Sequence, residues 1–260
     1  MADSNSWKAI FDYKDINSYD FDNGPYILEA DDIKKACQNF TQTSQKEVRI
    51  LCKQDSREER PDIFVQKNLF ILPRKNGSYY IVKGEGYVDI PDIDKPIIDY
   101  VSKLDFDLIS SAIGNSEMQY LDFAYANSLI RTFMDDPSLV LTIRGRKYTP
   151  RFSFTVNGFN LDVKSVQTEV DAGYEGRNSL VLVEAKNTET KNTIIRQLYY
   201  PYRQWYENTG KTVYTLFFEK RIVNGEPIFY IWQYEFTNPL DYNSIHLVKS
   251  ERYRIVKNEH

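Results

Sequence analysis

The sequence predicts an α/β (α+β) chain: a mixed β-sheet flanked by helices, with a smaller α+β module ahead of it. Three observations carry this. Alternating or continuous apolar runs at Leu139–Ile143, Phe152–Val156, Val163–Asp171 and Leu180–Ala185 stand between two helical patterns. Two further runs, Val213–Phe218 and Ile228–Phe236, meet at Asn224-Gly225, a two-residue hairpin signal. Helix, strands, helix and strand in that order build a mixed sheet, and 260 residues at 42% hydrophobic content can bury a core.

From the N-terminus, Asp31 or Asp32 caps a short helix through Ile33, Ala36 and Cys37. Leu69–Pro73 and Tyr79–Lys83 then flank Lys75-Asn76-Gly77-Ser78, a second hairpin. A helix followed by such a wing suits a small, winged-helix-like module with a DNA-reading role, though many small α+β modules share the pattern. Two prolines and three aspartates in Asp89–Pro96 mark the boundary, which divides the chain into 1–95 and 96–260. Beyond it, Ser116 caps a helix with a broad apolar stripe through Met118, Leu121, Ala124, Tyr125 and Leu129. A second helix is expected around Thr193–Tyr206.

Composition excludes several chemistries. The only histidines are His246 and His260, so no multi-histidine zinc site can form, and a Ser-His or Cys-His nucleophile would rest on His246 alone. Cys37 and Cys52 fit no thiolate metal pattern and read as reduced thiols of a cytoplasmic protein. The longest apolar run, Ile228–Trp232, is five residues, far below the roughly 20 needed to span a bilayer. No signal-peptide pattern is visible at the N-terminus, so a soluble, cytoplasmic protein is expected. Net charge is -4, but residues 1–47 carry five basic and nine acidic side chains, and residues 141–212 carry eleven basic and seven acidic. The basic excess surrounds the segment with the most chemistry.

That segment is 167–186. Gly176-Arg177-Asn178 is turn chemistry, so the runs on either side form an antiparallel hairpin. Side chains two apart share a face, which groups Glu169 with Asp171 and Glu184 with Lys186. A turn centred near Arg177-Asn178 sets Asp171 across from Glu184 and Glu169 across from Lys186. The lead-in Leu-Val-Leu-Val calls for burial, and charged groups at its end are costly there without partners. Two neighbouring carboxylates repel unless a proton or cation is shared. Mg²⁺ resolves this with one or two carboxylates and several waters, and a lysine ammonium can orient water and offset developing charge. Metal-assisted phosphodiester hydrolysis needs no imidazole.

Asp171 followed by Glu184-Ala185-Lys186 at the end of an apolar strand resembles the PD-(D/E)XK nuclease motif, with Val170 where that family often has proline. The resemblance covers about 110–220 and implies a restriction-endonuclease-like core in which Asp171 and Glu184 bind Mg²⁺ and Lys186 serves the nucleophilic water. It also implies auxiliary roles for Glu117 on the preceding helix and Gln197 on the following one, with Glu169 a third auxiliary candidate. Structural readings stand beside these: a dipole charge for Glu117, a structural amide for Gln197, a surface residue for Glu169. Arg144, Arg146, Lys147 and Arg151 read as a basic loop, either solvated or in contact with DNA phosphates. The Tyr199-Tyr200-Pro201-Tyr202 run is better explained by buried packing than by base stacking.

Within the family, a chain of this size with an N-terminal module looks most like a type II restriction endonuclease. Glu47-Val48-Arg49, Asp55-Ser56-Arg57 and Arg60-Pro61-Asp62-Ile63-Phe64 are similar to such enzymes too. That implies site-specific cleavage of double-stranded DNA by a homodimer, with a cognate DNA methyltransferase encoded nearby. The alternatives are a structure-specific repair or recombination nuclease, and a catalytically silent DNA-binding module.

Overall fold

Strand-forming runs such as Leu180–Val183 are apolar on both faces, so the sheet that contains them must be covered twice. A computed structural model describes residues 2–110, 113–114 and 116–257; His260 lies outside them.

The N-terminal part opens with α1 (Ser4–Tyr13), capped by Asp3, whose carboxylate accepts from Ser6 N at 2.8 Å. After β1 (Tyr26–Glu29) come α2 (Ala30–Ala36) and the short helices α3 (Thr43–Lys46), α4 (Val48–Leu51) and α5 (Asp62–Gln66). The hairpin β2 (Leu69–Lys75) and β3 (Ser78–Lys83) completes an antiparallel sheet of order β1-β3-β2. Trp7, Phe11 and Phe64 centre the local core, the Trp7 and Phe64 rings lying edge to face at 4.6 Å. Period-2 alternation gives the hairpin two apolar faces. Leu69, Ile71 and Ile81 join this core, whereas Phe70, Leu72, Tyr80 and Val82 join the core of the rest of the chain.

That remainder holds β4 (Tyr87–Asp89), β5 (Ile98–Val101), α6 (Glu117–Ala126), α7 (Leu129–Met134), β6 (Val140–Tyr148), β7 (Phe152–Val156), β8 (Phe159–Val163), β9 (Gln167–Glu175) and β10 (Ser179–Lys186). After β11 (Asn192–Ile194) come α8 (Arg196–Thr209), β12 (Thr212–Val223), β13 (Glu226–Phe236) and β14 (Ile245–Val256). The seven-stranded sheet runs β5-β14-β13-β12-β10-β9-β6. It is mixed: β10 and β12 are parallel across the α8 crossover, β14 and β5 are parallel, and the other neighbours are antiparallel. On one face Leu121, Ala124 and Phe133 of α6 and α7 pack on Val181, Val183 and Ala185. On the other, Leu198, Tyr199 and Tyr200 of α8 pack with Leu180, Leu182 and Phe217. The tyrosine run of α8 is therefore core, with Tyr199 and Tyr200 at 0% and 1% exposure. No helix among the described residues is long and apolar enough to cross a membrane, and Cys37 and Cys52 are free thiols.

Several local expectations are corrected. Glu29, not an aspartate, is the cap residue of α2, and Asp31 and Asp32 sit in its first turn, where they complement the helix dipole. The run expected as one strand over Val163–Asp171 is split, because Asn157-Gly158, both at positive φ, folds β7 and β8 into a separate hairpin. The second helix starts at Arg196, because Asn192–Ile194 is drawn into a pairing with β4. Arg144, Arg146 and Lys147 are not in a loop but on β6, the sheet's outer strand, where an edge leaves charged side chains in solvent. Only Arg151 lies in a connection. The Asp89–Pro96 stretch packs on the large sheet: Trp232 Nε1 donates to Pro91 O at 2.8 Å and Tyr234 Oη to Asp89 O at 2.6 Å. His246 is an exposed residue of β14.

Candidate active site

The hairpin of β9 and β10 has the register expected from its turn, with Leu180 opposite Glu175 and Val183 opposite Ala172. Past Val183 the pairing gives way to a side-chain bond: Asp171 Oδ2 accepts from Ala185 N at 2.8 Å. The cause lies on the other side of β9. Between the Ile143–Gly173 and Gly145–Val170 pairs, Asp171 and Ala172 together oppose the single residue Arg144, which is a β-bulge. Bulges re-aim side chains, and here Val170 joins the α8-side core while Ala172 joins the α6-side core. Gly173 makes the close approach possible, since a Cβ there would meet Ile143 Cβ at 2.7 Å.

Strict alternation predicts Glu169 beside Asp171 and opposite Lys186; Glu169 stays near enough for its charge to act on Asp171, but the bulge breaks the pairing with Lys186. Glu169 is exposed and pairs with Arg146 at 3.3 Å. Lys186 finds its carboxylate on its own strand instead: Nζ donates to Glu184 Oε1 at 2.6 Å. Glycines inside both strands, Gly173 in β9 and Gly145 in β6, are the sequence signals for this bulge.

Asp171, Glu184 and Lys186 line a cleft of about 640 Å³ together with Glu117, Glu169 and Gln197. Glu117 is the first residue of α6, behind its Ser116 cap, and its charge bears on Lys186. Gln197 lies in the first turn of α8 and accepts from Thr193 Oγ1 at 2.5 Å. Arg144, Arg146, Lys147 and Arg151 are not on the cleft wall, although Tyr148 at the end of the same strand is, and it is 64% exposed. Arg144 is paired with Asp122, and Arg151 with Asp162 at 3.1 Å.

Residues the motif did not single out reach the cleft from the N-terminal part. Asp55 bridges Lys53 at 3.6 Å and Arg196 at 3.3 Å, and its charge acts on Glu184. Arg49, Lys53 and Lys75 share its wall. Nothing local in the sequence ties them to the hairpin.

Burial decides the electrostatics. The Glu184 side chain keeps 12% of its surface, and desolvation pushes its carboxyl up to about 7, with the Asp171 charge adding to the rise and Lys186 opposing it. Asp171 is raised for the same first reason, against the Ala185 hydrogen bond and the Lys186 charge. Desolvation pulls the Lys186 ammonium down, but the Glu184 carboxylate outweighs it together with Glu117 and Asp171, so the ammonium is held above its usual range.

Among the described residues no group of three or more His, Cys, Asp or Glu side chains could hold a metal. Asp171 and Glu184 offer two desolvated carboxyls, which suits Mg²⁺, a hard ion that takes one or two carboxylates and keeps waters, and does not suit zinc. The chemistry fits in a second respect: carboxyls raised by desolvation and by neighbouring negative charge are those that a divalent cation stabilises as anions.

A family model described as a domain of unknown function (DUF6997) matches residues 82–254, and a second, DUF6996, matches residues 4–81. The two meet inside β3. No curated protein and no solved structure matches the chain. With the larger match spanning well over half its length, the chain belongs to the DUF6997 family.

Proposed function

We propose that this DUF6997 protein is a Mg²⁺-dependent endonuclease of the PD-(D/E)XK kind, hydrolysing phosphodiester bonds of double-stranded DNA at specific sites as a type II restriction enzyme. The observation that carries the reading is the meeting of Asp171, Glu184 and Lys186 in one cleft, with the two carboxyls desolvated and the ammonium 2.6 Å from one of them. The order α6, β6, β9, β10, α8, β12, with β10 and β12 parallel across α8, supports a restriction-endonuclease-like core. The β1-β3-β2 sheet with helices between β1 and β2 supports a winged-helix-like N-terminal module with a DNA-reading role. A homodimer, one chain per strand of a palindrome, and a methyltransferase encoded nearby complete the reading.

Asp171 and Glu184 would hold the ion, which when bound supplies Lewis-acid polarisation of the scissile phosphate and a more acidic water. Lys186 orients the attacking water through its ammonium and offsets the charge that builds on the phosphorus oxygens. Glu184 holds that ammonium in place, and the Ala185 amide holds Asp171. Apolar packing of Val183 and Ala185 beneath keeps both strands rigid.

The test is direct. Purified protein with Mg²⁺ should cut plasmid and genomic DNA into discrete fragments. Cleavage confined to branched or single-stranded DNA would make it a repair or recombination nuclease instead. Binding without any cleavage would make it a silent DNA-binding module.

A further inference from the structure

The cleft has two walls of opposite character. The wall bearing the proposed chemistry carries Glu117, Glu169, Asp171 and Glu184 against Lys186 and Arg196, a sum of two negative charges. The N-terminal wall carries Arg49, Lys53 and Lys75 against Asp55, a sum of two positive charges. Arg49, Lys53 and Lys75 are all exposed. Lys53 reaches only Asp55, at 3.6 Å, and Arg49 and Lys75 have no ion-pair partner among the described residues. These cations do not neutralise the acidic wall. The one ion pair between the walls runs the other way, from Arg196 to Asp55.

The basic wall is also fixed in place. Ile194 N donates to Asp55 O at 2.8 Å, Arg57 N to Asn192 Oδ1 at 2.7 Å, and Tyr200 Oη to Pro73 O at 2.9 Å. The cations therefore stand on a backbone anchored to β11 and α8. An acidic wall alone repels a polyanion, and a chain drawn against it needs positive charge on the side facing away from the carboxylates.

We propose that Arg49, Lys53 and Lys75 form a phosphate clamp that holds the DNA backbone on either side of the scissile bond, so that the N-terminal part completes the substrate site. The clamp rests on the nuclease reading above. It binds through charge and reads no bases. Arg144, Arg146 and Arg151 differ from it in being committed to Asp122, Glu169 and Asp162.

The experiment measures affinity for a labelled 40-base-pair duplex of arbitrary sequence, in chelator to prevent cleavage, across a series of salt concentrations. Each lost phosphate contact lowers the slope of log affinity against log salt by about 0.9, so R49A/K53A/K75A should lower it by about 2.7. K103A/K257A, just past β5 and β14 and outside the cleft, should leave the slope at the wild-type value. Circular dichroism confirms that both variants fold. Wild-type and clamp-variant slopes that coincide, with both proteins binding, would overturn the clamp and leave the nuclease reading standing. A wild-type protein that neither binds nor cuts DNA would overturn both.

Discussion

Lys186 Nζ donates to Glu184 Oε1 at 2.6 Å on the same strand, two residues apart and on one face. The pair sits where β10 runs out of apolar sequence, so the last turn of the pleat delivers both charges into the cleft while Ala185 between them stays in the core. An ammonium held by a desolvated carboxylate is pre-positioned, and the proposed hydrolysis would gain from that because no reorganisation is needed during reaction.

Lys186→Ala should therefore lower plasmid cleavage in Mg²⁺ by at least about 100-fold with duplex affinity within a few-fold of wild type. Parallel loss of affinity and cleavage would assign Lys186 to binding instead.

On the proposed reading, the raised Glu184 carboxyl would make Mg²⁺ binding pH-dependent. A proton must leave before the ion can bind, so affinity should grow as pH rises through about 7. Addition of Mg²⁺ should raise the melting temperature more at pH 8.5 than at pH 5.5, and D171N/E184Q should show no rise at either pH. The same sign governs the ion-free protein: a carboxyl held above its ordinary 4.5 favours the protonated folded form, so its penalty is absent below 4.5 and complete above about 7. A Mg²⁺ shift that is largest at low pH would contradict this assignment.

Asp171 serves fold and site at once, and two substitutions separate the roles. Asp171→Asn keeps an oxygen for the Ala185 amide, so urea denaturation should show nearly wild-type stability while Mg²⁺-dependent cleavage is lost. Asp171→Ala removes the acceptor from a half-buried amide and should cost about 1–3 kcal/mol. Equal stabilities would show that the hydrogen bond contributes nothing.

Glu219 tests a neighbouring charge with no catalytic assignment. It pairs in register with Lys186 on the adjacent strand, is fully buried, and binds Arg221 Nε at 2.7 Å and Thr190 N at 2.8 Å. Glu219→Ala leaves the Arg221 guanidinium with only the exposed Asp92, at 3.0 Å, and the Thr190 amide without its acceptor, and should destabilise the fold by about 1–3 kcal/mol. At a temperature where the variant remains folded its cleavage rate should match wild type; a specific rate loss would bring Glu219 into the site.

Close packing where the two parts of the chain meet is equally testable. A Cβ at Gly86 would fall 2.2 Å from the Phe70 ring, and Gly86 O accepts from Ile195 N at 3.0 Å and from Tyr242 Oη at 3.1 Å. Gly86→Ala should cost about 1–3 kcal/mol, read as a lower urea midpoint. An unchanged midpoint would mean that Phe70 moves freely.

The sequence by itself determined the strands with long apolar runs (β2, β3, β6, β7, β10, β12 and β13), the Asn-Gly hairpins, the Ser116 cap and the turn at 176–178. Each rests on interactions within a few residues, where alternation and turn chemistry act directly. For the same reason Asp171, Glu184 and Lys186 were legible, their spacing being a property of one hairpin. Tertiary structure alone decided the rest. The bulge that moves Glu169 away from Lys186 requires β6 to lie against β9, and β11 becomes a strand only because β4 arrives beside it. Arg49, Lys53, Asp55 and Lys75 reach the cleft because the β2–β3 hairpin has two apolar faces and buries one of them in each core. Contacts between such distant segments are set by packing and burial, which no local pattern encodes.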